Sequence, residues 1–214
     1  MPRFVAAILL SSVAFVHAQA QSSELETGKF LIASRNLGDP NFAEAVVLLL
    51  HYDEDQGAMG LIINRASDVP LSRVLQELKE AKGRSDTAYM GGPVEPENVL
   101  ALLRTPDPPE DAQRVFSSVH LITTKELLEK ALSGKPEPAN FHVYLGYAGW
   151  GPGQLEHEIS LGAWKILQPD AGSVFDADPD SVWPRLIRRT ETRIARVPAR
   201  VATRARLLAN RLEH

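Results

Sequence analysis

A glycine cluster from Gly146 to Gly153 is the first arrangement in the chain that could do chemistry. Glycines before a helix can present backbone N–H groups to a phosphate. This cluster lacks the Gly-Lys-Ser/Thr ending of a P-loop and the spacing of a dinucleotide fingerprint, and Glu156 and Glu158 would repel an anion in the first helical turn. We therefore interpret it as a tight turn in which Trp150 packs while Gln154 and Glu156 bond backbone amides.

Two short runs contain residue types that bind metals. His51 and Asp53 share one face of a strand end, because side chains two residues apart point the same way. Glu156-His157-Glu158 offers three further candidates, although adjacent residues on a helix face apart. Neither run brings three ligands together locally, as a metal site requires. We predict no metal and no cofactor, and we interpret His142 as an ordinary strand histidine with a hydrogen-bond partner.

Nucleophilic catalysis has no recognisable sequence pattern in this chain. The 214 residues include no cysteine, which excludes thiol catalysis and zinc ribbons. There is no Gly-x-Ser-x-Gly turn to expose a serine. Asn64 ends a predicted buried strand beside Arg65; it either closes a turn or, if the fold has a pocket, lines that pocket. We predict no catalytic residue.

The elements that must position these residues are short strands mixed with helices. Val46 to Leu50 is apolar without alternation, which predicts a strand buried on both faces, and a polar loop at 53–57 predicts a hairpin. Because strands and helices do not alternate regularly, we predict a single α+β domain. The predicted strands cover 30–33, 46–52, 59–63, 99–103, 119–122, 141–147 and 163–167.

Two helices are marked by periodicity and end signals. The first follows Pro70, carries apolar residues at i, i+3, i+4 and i+7 from Leu71, and ends at Gly83. The second begins with Thr123 and Glu126 as a capping box and ends at 134. A third is predicted from Asp178-Pro179 onward.

The first twenty residues have the layout of a secretory signal peptide. Arg3 precedes an apolar run from Phe4 to Val16, and Ala18-Gln19-Ala20 offers a cleavage site near Ala20. As a helix the apolar run would rise about 20 Å, which is too short to cross a bilayer core of about 30 Å. We expect the chain to be exported to the periplasm or secreted. A lipoprotein anchor is excluded because there is no cysteine to acylate.

Charge is segregated along the chain, whose formal net charge is −4. Residues 185–214 carry nine arginines against two glutamates, so the rest of the chain is strongly acidic. An acidic body with a basic tail is not the profile of a nucleic-acid-binding domain. The tail either packs its apolar stripe on the domain with its arginines beside acidic neighbours, or contacts an anionic partner or membrane surface, or is disordered. Our domain division is a signal peptide at 1–20, a domain at 24–190 and an arginine-rich helical tail at 191–214.

Ordered turn sequences give the chain a resemblance to a known family. Over residues 27–190 it resembles the YqgE/AlgH family. The matching blocks are Asp39-Pro40-Asn41-Phe42, 57–65 (GAMGLIINR), Gly91-Gly92-Pro93-Val94, 145–156 (LGYAGWGPGQLE) and Phe175-Asp176.

The resemblance implies an architecture more than an activity. It implies a forked, partly barrel-like β-sheet with a small closed barrel, surrounded by helices. The family has no established biochemical activity, and some members are described as transcriptional regulators, particularly of alginate synthesis. This chain departs from the family in its signal peptide and its arginine tail, and in having Asn98 and Leu103 where the family commonly has an arginine and a histidine.

We therefore expect a non-enzymatic protein that binds a protein partner or a small molecule in the exported compartment. If it is exported, no nucleic-acid partner is expected. The alternatives are a transcriptional regulator and a cryptic hydrolase or metal enzyme. The ligand-binding candidates are Asp39, His51, Asp53, Asn64, Gly91, Gly92, Gln154 and Glu156.

Overall fold

The computed structural model describes residues 25–195. The predicted signal peptide and residues 196–214 of the predicted tail lie outside this range. The described residues form one α+β domain with a ten-stranded, mostly antiparallel sheet and five α-helices, which confirms the predicted fold class. No helix within them is both long and apolar enough to cross a membrane.

The first part of the sheet is an antiparallel set built on the most apolar strands. Strand β1 (Phe30–Ala33) lies between β2 (Val46–Asp53) and β10 (Trp164–Leu167). A hairpin joins β2 to β3 (Gly57–Ile62), as the polar loop predicts. The residues from Val46 to Leu50 are all buried, in agreement with their unbroken apolar sequence.

The segment between β3 and the second half of the sheet differs from the prediction. Strand β4 (Ala66–Pro70) pairs with β5 (Thr87–Met90), and between them α1 (Leu71–Val74) makes only one turn before the chain leaves helical geometry at Leu75. The predicted long helix is therefore wrong, although a 3-10 turn follows at Lys79–Ala81. Leu71, Leu75 and Leu78 are buried nonetheless, because packing against the core satisfies the apolar pattern without a continuous helix.

The second half of the sheet is a meander followed by a helix. Strand β6 (Val94–Arg104) pairs with β8 (Val119–Ile122), and β7 (Gln113–Phe116) pairs with the other edge of β8. Helix α2 (Lys125–Ser133) follows and ends at Gly134. Its cap is Thr124, whose hydroxyl accepts the Leu127 N–H at 3.3 Å, so the predicted Thr123 cap is wrong by one residue.

The sheet forks at β9 (Phe141–Trp150). One edge of β9 pairs with β6 over most of its length. The other edge is divided: β5 pairs with it in parallel at Tyr144 and Leu145, and β3 pairs with it antiparallel from Ala148 to Trp150. The forked sheet implied by the resemblance is thus present, and β9 is its branching strand.

The sheet curls but does not close. Its terminal strands, β10 and β7, do not pair with each other. Strand β7 nevertheless approaches the start of β1: the rings of Phe30 and Phe116 are 6.5 Å apart, and a Cβ on Gly28 would lie 2.8 Å from the Val115 carbonyl oxygen. The closed barrel implied by the resemblance is therefore not formed, because no backbone ladder joins β7 to β10 or to β1.

The remaining helices cover the ends of the sheet. Helix α3 (Gln154–Ser160) follows the glycine-rich turn, α4 (Ala171–Val174) is a single turn, and α5 (Val182–Ala195) begins after a 3-10 turn at Pro179–Ser181. A further 3-10 turn, Pro138–Asn140, precedes β9. Helix α5 runs through residue 190, so the first five residues of the predicted tail continue this helix.

The two faces of the forked sheet are buried in two apolar clusters. Alternating residues of β9 divide between them: Tyr144 and Trp150 belong to the larger cluster, and Phe141 and Val143 to the smaller one. The larger cluster is covered by α3 and α5, and the smaller one by α1 and α2. One strand therefore contributes to both cores.

Candidate functional site

Two of the predicted pocket residues close turns around the loop that joins β1 to β2. The Asp39 carboxylate accepts the backbone N–H of Asn41 at 2.8 Å. The Asn64 side chain accepts the Val46 N–H at 2.8 Å and donates to the Glu44 carbonyl at 3.0 Å. Asn64 therefore performs the turn-closing role that its position beside Arg65 allows.

The β2–β3 hairpin uses Asp53 and leaves His51 in solvent. One Asp53 oxygen accepts the N–H groups of Asp55 at 3.0 Å and Gln56 at 2.9 Å, which fixes the hairpin loop. The His51 side chain is exposed. Within residues 25–195, no group of three or more His, Asp or Glu side chains is arranged to hold a metal ion.

The predicted candidates on α3, Gln154 and Glu156, form hydrogen bonds with other groups of the protein. Gln154 accepts the Gly151 N–H at 3.1 Å, as the tight-turn interpretation predicts. Glu156 instead accepts the hydroxyl proton of Tyr52 at 2.6 Å. Burial and this carboxylate together raise the pKa of Tyr52. These contacts tie α3 to the turn before it and to β2.

Gly91 and Gly92 allow backbones to meet at the fork. A Cβ on Gly92 would come within 3.0 Å of backbone atoms of Tyr147 and Ala148. A Cβ on Gly91 would meet the Gly146 carbonyl equally closely. These two glycines therefore act through close packing of β5 and β9, and the structure gives them no ligand-facing role.

The structure also forms a cleft that the candidate residues do not line. We call it the His142 cleft; its volume is about 730 Å³, and it opens between β5, β9 and the segment that follows α4. Tyr89 comes from β5, His142 from β9 and Phe175 from the end of α4. Its principal lining side chains are Asp86, Tyr89, Glu137, His142, Phe175 and Asp176.

His142 lies on the floor of this cleft with little of its hydrogen-bonding capacity used. Its side chain is 8% exposed and stacks on Tyr89, with ring centroids 4.3 Å apart and planes inclined by 20°. Its Nε2 is 3.5 Å from the Tyr89 hydroxyl, and Nδ1 has no hydrogen-bond partner among the described residues. Burial lowers the pKa of His142 to about 4, opposed by the charge of Asp86 and more weakly by the Val174 backbone, so the imidazole is neutral at pH 7.

Carboxylates surround the mouth of the cleft. Asp86 accepts three hydrogen bonds from the Arg84 side chain, the shortest at 2.6 Å. Asp176 accepts the Asp178 N–H at 3.0 Å and an Arg185 side-chain N–H at 2.8 Å, and these contacts lower its pKa. Glu137 is exposed and forms no ion pair with another described residue.

None of the principal lining residues of this cleft is among the ligand-binding candidates predicted from the sequence. In the sequence, Phe175-Asp176 indicates only the family resemblance, and His142 is predicted to be an ordinary strand histidine. The usable signal was alternation in β9, which places His142 on the same face as Tyr144. What the sequence does not contain is the pairing of β5 with β9 that brings Tyr89 to His142.

The described part of the arginine-rich segment packs on its own domain. Arg185 pairs with Asp176 at 2.8 Å, and Arg189 lies 3.8 Å from Asp170. Val182, Leu186 and Ile187 are buried on the opposite side of α5. Over these residues the apolar side of the helix packs on the sheet. On its other side, Arg185 and Arg189 lie beside acidic residues of the same domain.

Comparisons with known proteins identify a matching family model and relatives of similar sequence. A family model described as AlgH-like matches residues 30–195. A UPF0301 protein of Streptomyces avermitilis is 36% identical over 180 residues, covering 80% of this chain and 90% of that relative. A UPF0301 protein of Anaeromyxobacter dehalogenans is 38% identical over 170 residues, covering 75% and 85%.

Two solved structures share the architecture. The solution structure of the AlgH protein from Pseudomonas aeruginosa is similar with a TM-score of 0.60 at 32% identity, covering 83% of this chain and 92% of that one. A crystal structure of a Corynebacterium diphtheriae protein is similar with a TM-score of 0.66, covering 78% and 87%, and at 24% identity it supports the fold alone.

Proposed function

The chain belongs to the AlgH-like family, and from that premise we propose that it is a non-enzymatic binding protein whose ligand occupies the His142 cleft. The observation that carries the proposal is the cleft itself, about 730 Å³ with an aromatic floor and a polar mouth. Small-molecule sites are concave, mostly apolar and about 300–1,000 Å³ in volume, with a few polar groups that fix orientation.

The chemistry of the lining supports binding more than catalysis. A general base works best when its pKa lies near the operating pH. His142, with its pKa lowered to about 4, is a weak base at neutral pH. Asp176 accepts hydrogen bonds from the Asp178 N–H and the Arg185 side chain, which lower its pKa and make it a poor proton donor. These groups are suited to recognising a ligand and holding it in place.

Blocking the cleft tests the binding function. Ala139 is an exposed lining residue, so replacing it with tryptophan fills the cleft without disturbing the core. Single-ring aromatic fragments that shift the NMR signals of Tyr89, His142 and Phe175 are expected to bind Ala139→Trp at least about 10-fold more weakly, a loss of about 1.4 kcal/mol. Ala43→Trp, at an exposed position in the loop between β1 and β2 and outside the cleft, is the control and is expected to bind as the parent does. Equal binding by both variants would contradict the proposal.

The compartment is a separate part of the proposal. We propose that the protein is exported, on the basis of the signal-peptide layout of residues 1–20. A reporter that is active only outside the cytoplasm, fused after residue 30, is expected to be active. The matched control lacks residues 4–16 and is expected to be inactive. A fusion that stays cytoplasmic with the leader intact would contradict export.

The regulator alternative depends on the same result, because a protein exported from the cell cannot regulate transcription within it. A cytoplasmic fusion together with salt-sensitive binding to DNA would favour the regulator. Two arginines of α5 do not favour it, because Arg185 and Arg189 face acidic groups of their own domain. The hydrolase alternative likewise has no observation in its favour among the described residues.

A further inference from the structure

We infer that the ligand of the His142 cleft is an organic cation, a protonated amine or guanidinium carried on an apolar or aromatic body. The inference rests on the proposed binding function and names the chemical class that the site selects. Three features carry it: the sign of the charge around the cleft, the unused polar capacity of its floor, and its aromatic rings.

The ionised side chains that line the cleft are all carboxylates. Asp86, Glu137 and Asp176 are lining residues, and no lysine or arginine is among them. Arg84 and Arg185 hold two of these carboxylates without lining the cleft themselves. An anionic ligand such as a nucleotide would therefore meet repulsive charge and mainly hydrogen-bond acceptors. A cationic ligand would instead be attracted by these carboxylates and could donate hydrogen bonds to them.

The carboxylates retain their influence on the cleft floor despite their arginine partners. The charge of Asp86 favours the protonated form of His142, opposing the effect of burial on its pKa. Burial raises the pKa of Tyr89, and the charge of Asp176 raises it further. Both floor residues thus experience negative potential from the mouth of the cleft, which is the condition for attracting a cation.

The floor of the cleft also contains a buried histidine, His142, whose side chain is only weakly hydrogen-bonded within the protein. His142 is more than nine-tenths buried; its Nδ1 is fully enclosed by the protein, and its Nε2 has only a long contact of 3.5 Å with the Tyr89 hydroxyl. Buried polar groups are nearly always hydrogen-bonded, and the long Tyr89 contact leaves Nε2 only weakly paired. A neutral imidazole keeps one nitrogen as an acceptor, which suits a ligand rich in N–H donors.

The aromatic residues of the cleft suit the same class of ligand. Cations are attracted to the faces of aromatic rings within about 6 Å of the centroid. The guanidinium carbon of Arg104 already lies 5.3 Å from the Phe175 centroid. That guanidinium is directed to Asn140 and the Ala139 carbonyl and is not part of the lining. Phe175 therefore already makes one cation–π contact within the fold.

A matched set of probes tests the inference on the full chain at pH 7.5. Benzylamine is the cation, benzyl alcohol is its neutral counterpart, and benzoate is the anion. We expect benzylamine to bind at least about 10-fold more tightly than benzyl alcohol and benzoate to bind most weakly, with NMR shifts centred on Tyr89 and His142. If benzyl alcohol binds equally well in the cleft, or benzoate binds better, the inference fails while the binding function stands. If no probe shifts the cleft residues, both fail.

The same cationic group could come from a free amine or from a lysine side chain. The peptide acetyl-Ala-Ala-Lys-Ala-Ala-amide, compared with its glutamine counterpart, distinguishes these sources. Tighter binding of the lysine peptide than of benzylamine assigns the site to a peptide side chain, and the reverse order assigns it to a free amine. Either order supports the cation class provided that the lysine peptide binds more tightly than the glutamine peptide.

Removing one carboxylate tests the charge argument directly. Glu137 is exposed, and its side chain makes no capping bond to the 3-10 turn that follows, so Glu137→Gln preserves the fold. We expect this variant to bind benzylamine about 5-fold more weakly and to leave benzyl alcohol unchanged. Glu129→Gln, an exposed acid on α2 outside the cleft, is the control and is expected to change neither. An equal loss for both probes in Glu137→Gln would overturn the electrostatic role.

Discussion

A chain in which Gly92 is replaced with alanine is expected to lose at least about 3 kcal/mol of its free energy of unfolding, or to be recovered only as insoluble protein. The added Cβ would come within 3.0 Å of the Tyr147 carbonyl carbon and oxygen and the Ala148 nitrogen. All three are backbone atoms of β9, which is paired on both edges. Because β9 cannot move aside without breaking ladders to its neighbours, the structure cannot relieve the overlap cheaply.

Urea unfolding followed by far-UV circular dichroism measures this loss. The matched control is Gly38→Ala, because nothing lies within 4 Å of a Cβ built at that glycine. We expect the control to stay within about 1 kcal/mol of the parent. Equal unfolding midpoints for the two variants would show that the fork tolerates a side chain at residue 92 and that its packing is looser than described.

Acidification from pH 7 to pH 5 is expected to cost the protein about 2 kcal/mol through His142 alone. Burial lowers the folded-state pKa of this histidine to about 4, whereas the unfolded chain titrates near 6.5. Between these values the unfolded state binds a proton that the folded state does not. Stability therefore falls as the pH drops through this window and is unaffected by His142 above it.

The pH dependence of urea unfolding in His142→Gln isolates this contribution from that of the other titratable groups. The variant is expected to lose about 2 kcal/mol less than the parent over the same interval, whatever its stability at pH 7. His157→Gln, which changes an exposed histidine on α3, is expected to keep the parent's dependence. If His142→Gln also keeps it, protonation of the buried imidazole is not what destabilises the fold in acid.

Much of the fold was accessible from the sequence because local chemistry specifies it. The unbroken apolar run from Val46 to Leu50 predicted a strand buried on both faces, and the polar loop after it predicted the hairpin. One prediction failed because neighbouring residues compete for the same role. Thr123 and Thr124 are equally good caps by type, and only the position of the first helical turn selects Thr124.

The candidate site was not accessible because its parts meet through long-range pairing. Tyr89 and His142 come together because β5 joins β9 in parallel, and no local pattern specifies that pairing. Conversely, Asn64 and Asp53 have the residue types of a reactive site but are occupied in closing turns. Residue type indicates which chemistry is available, whereas the fold decides which side chains are left to perform it.

The position of β9 between three partner strands also bears on how the domain comes apart. Tyr144 and Trp150 are part of one core and Phe141 and Val143 are part of the other, so a fluctuation that detaches this strand opens both cores at once. Neither half can then persist as an independent folding unit, and the amides of β9 should be among the last to exchange with solvent. The two cores thereby form one cooperative foldon.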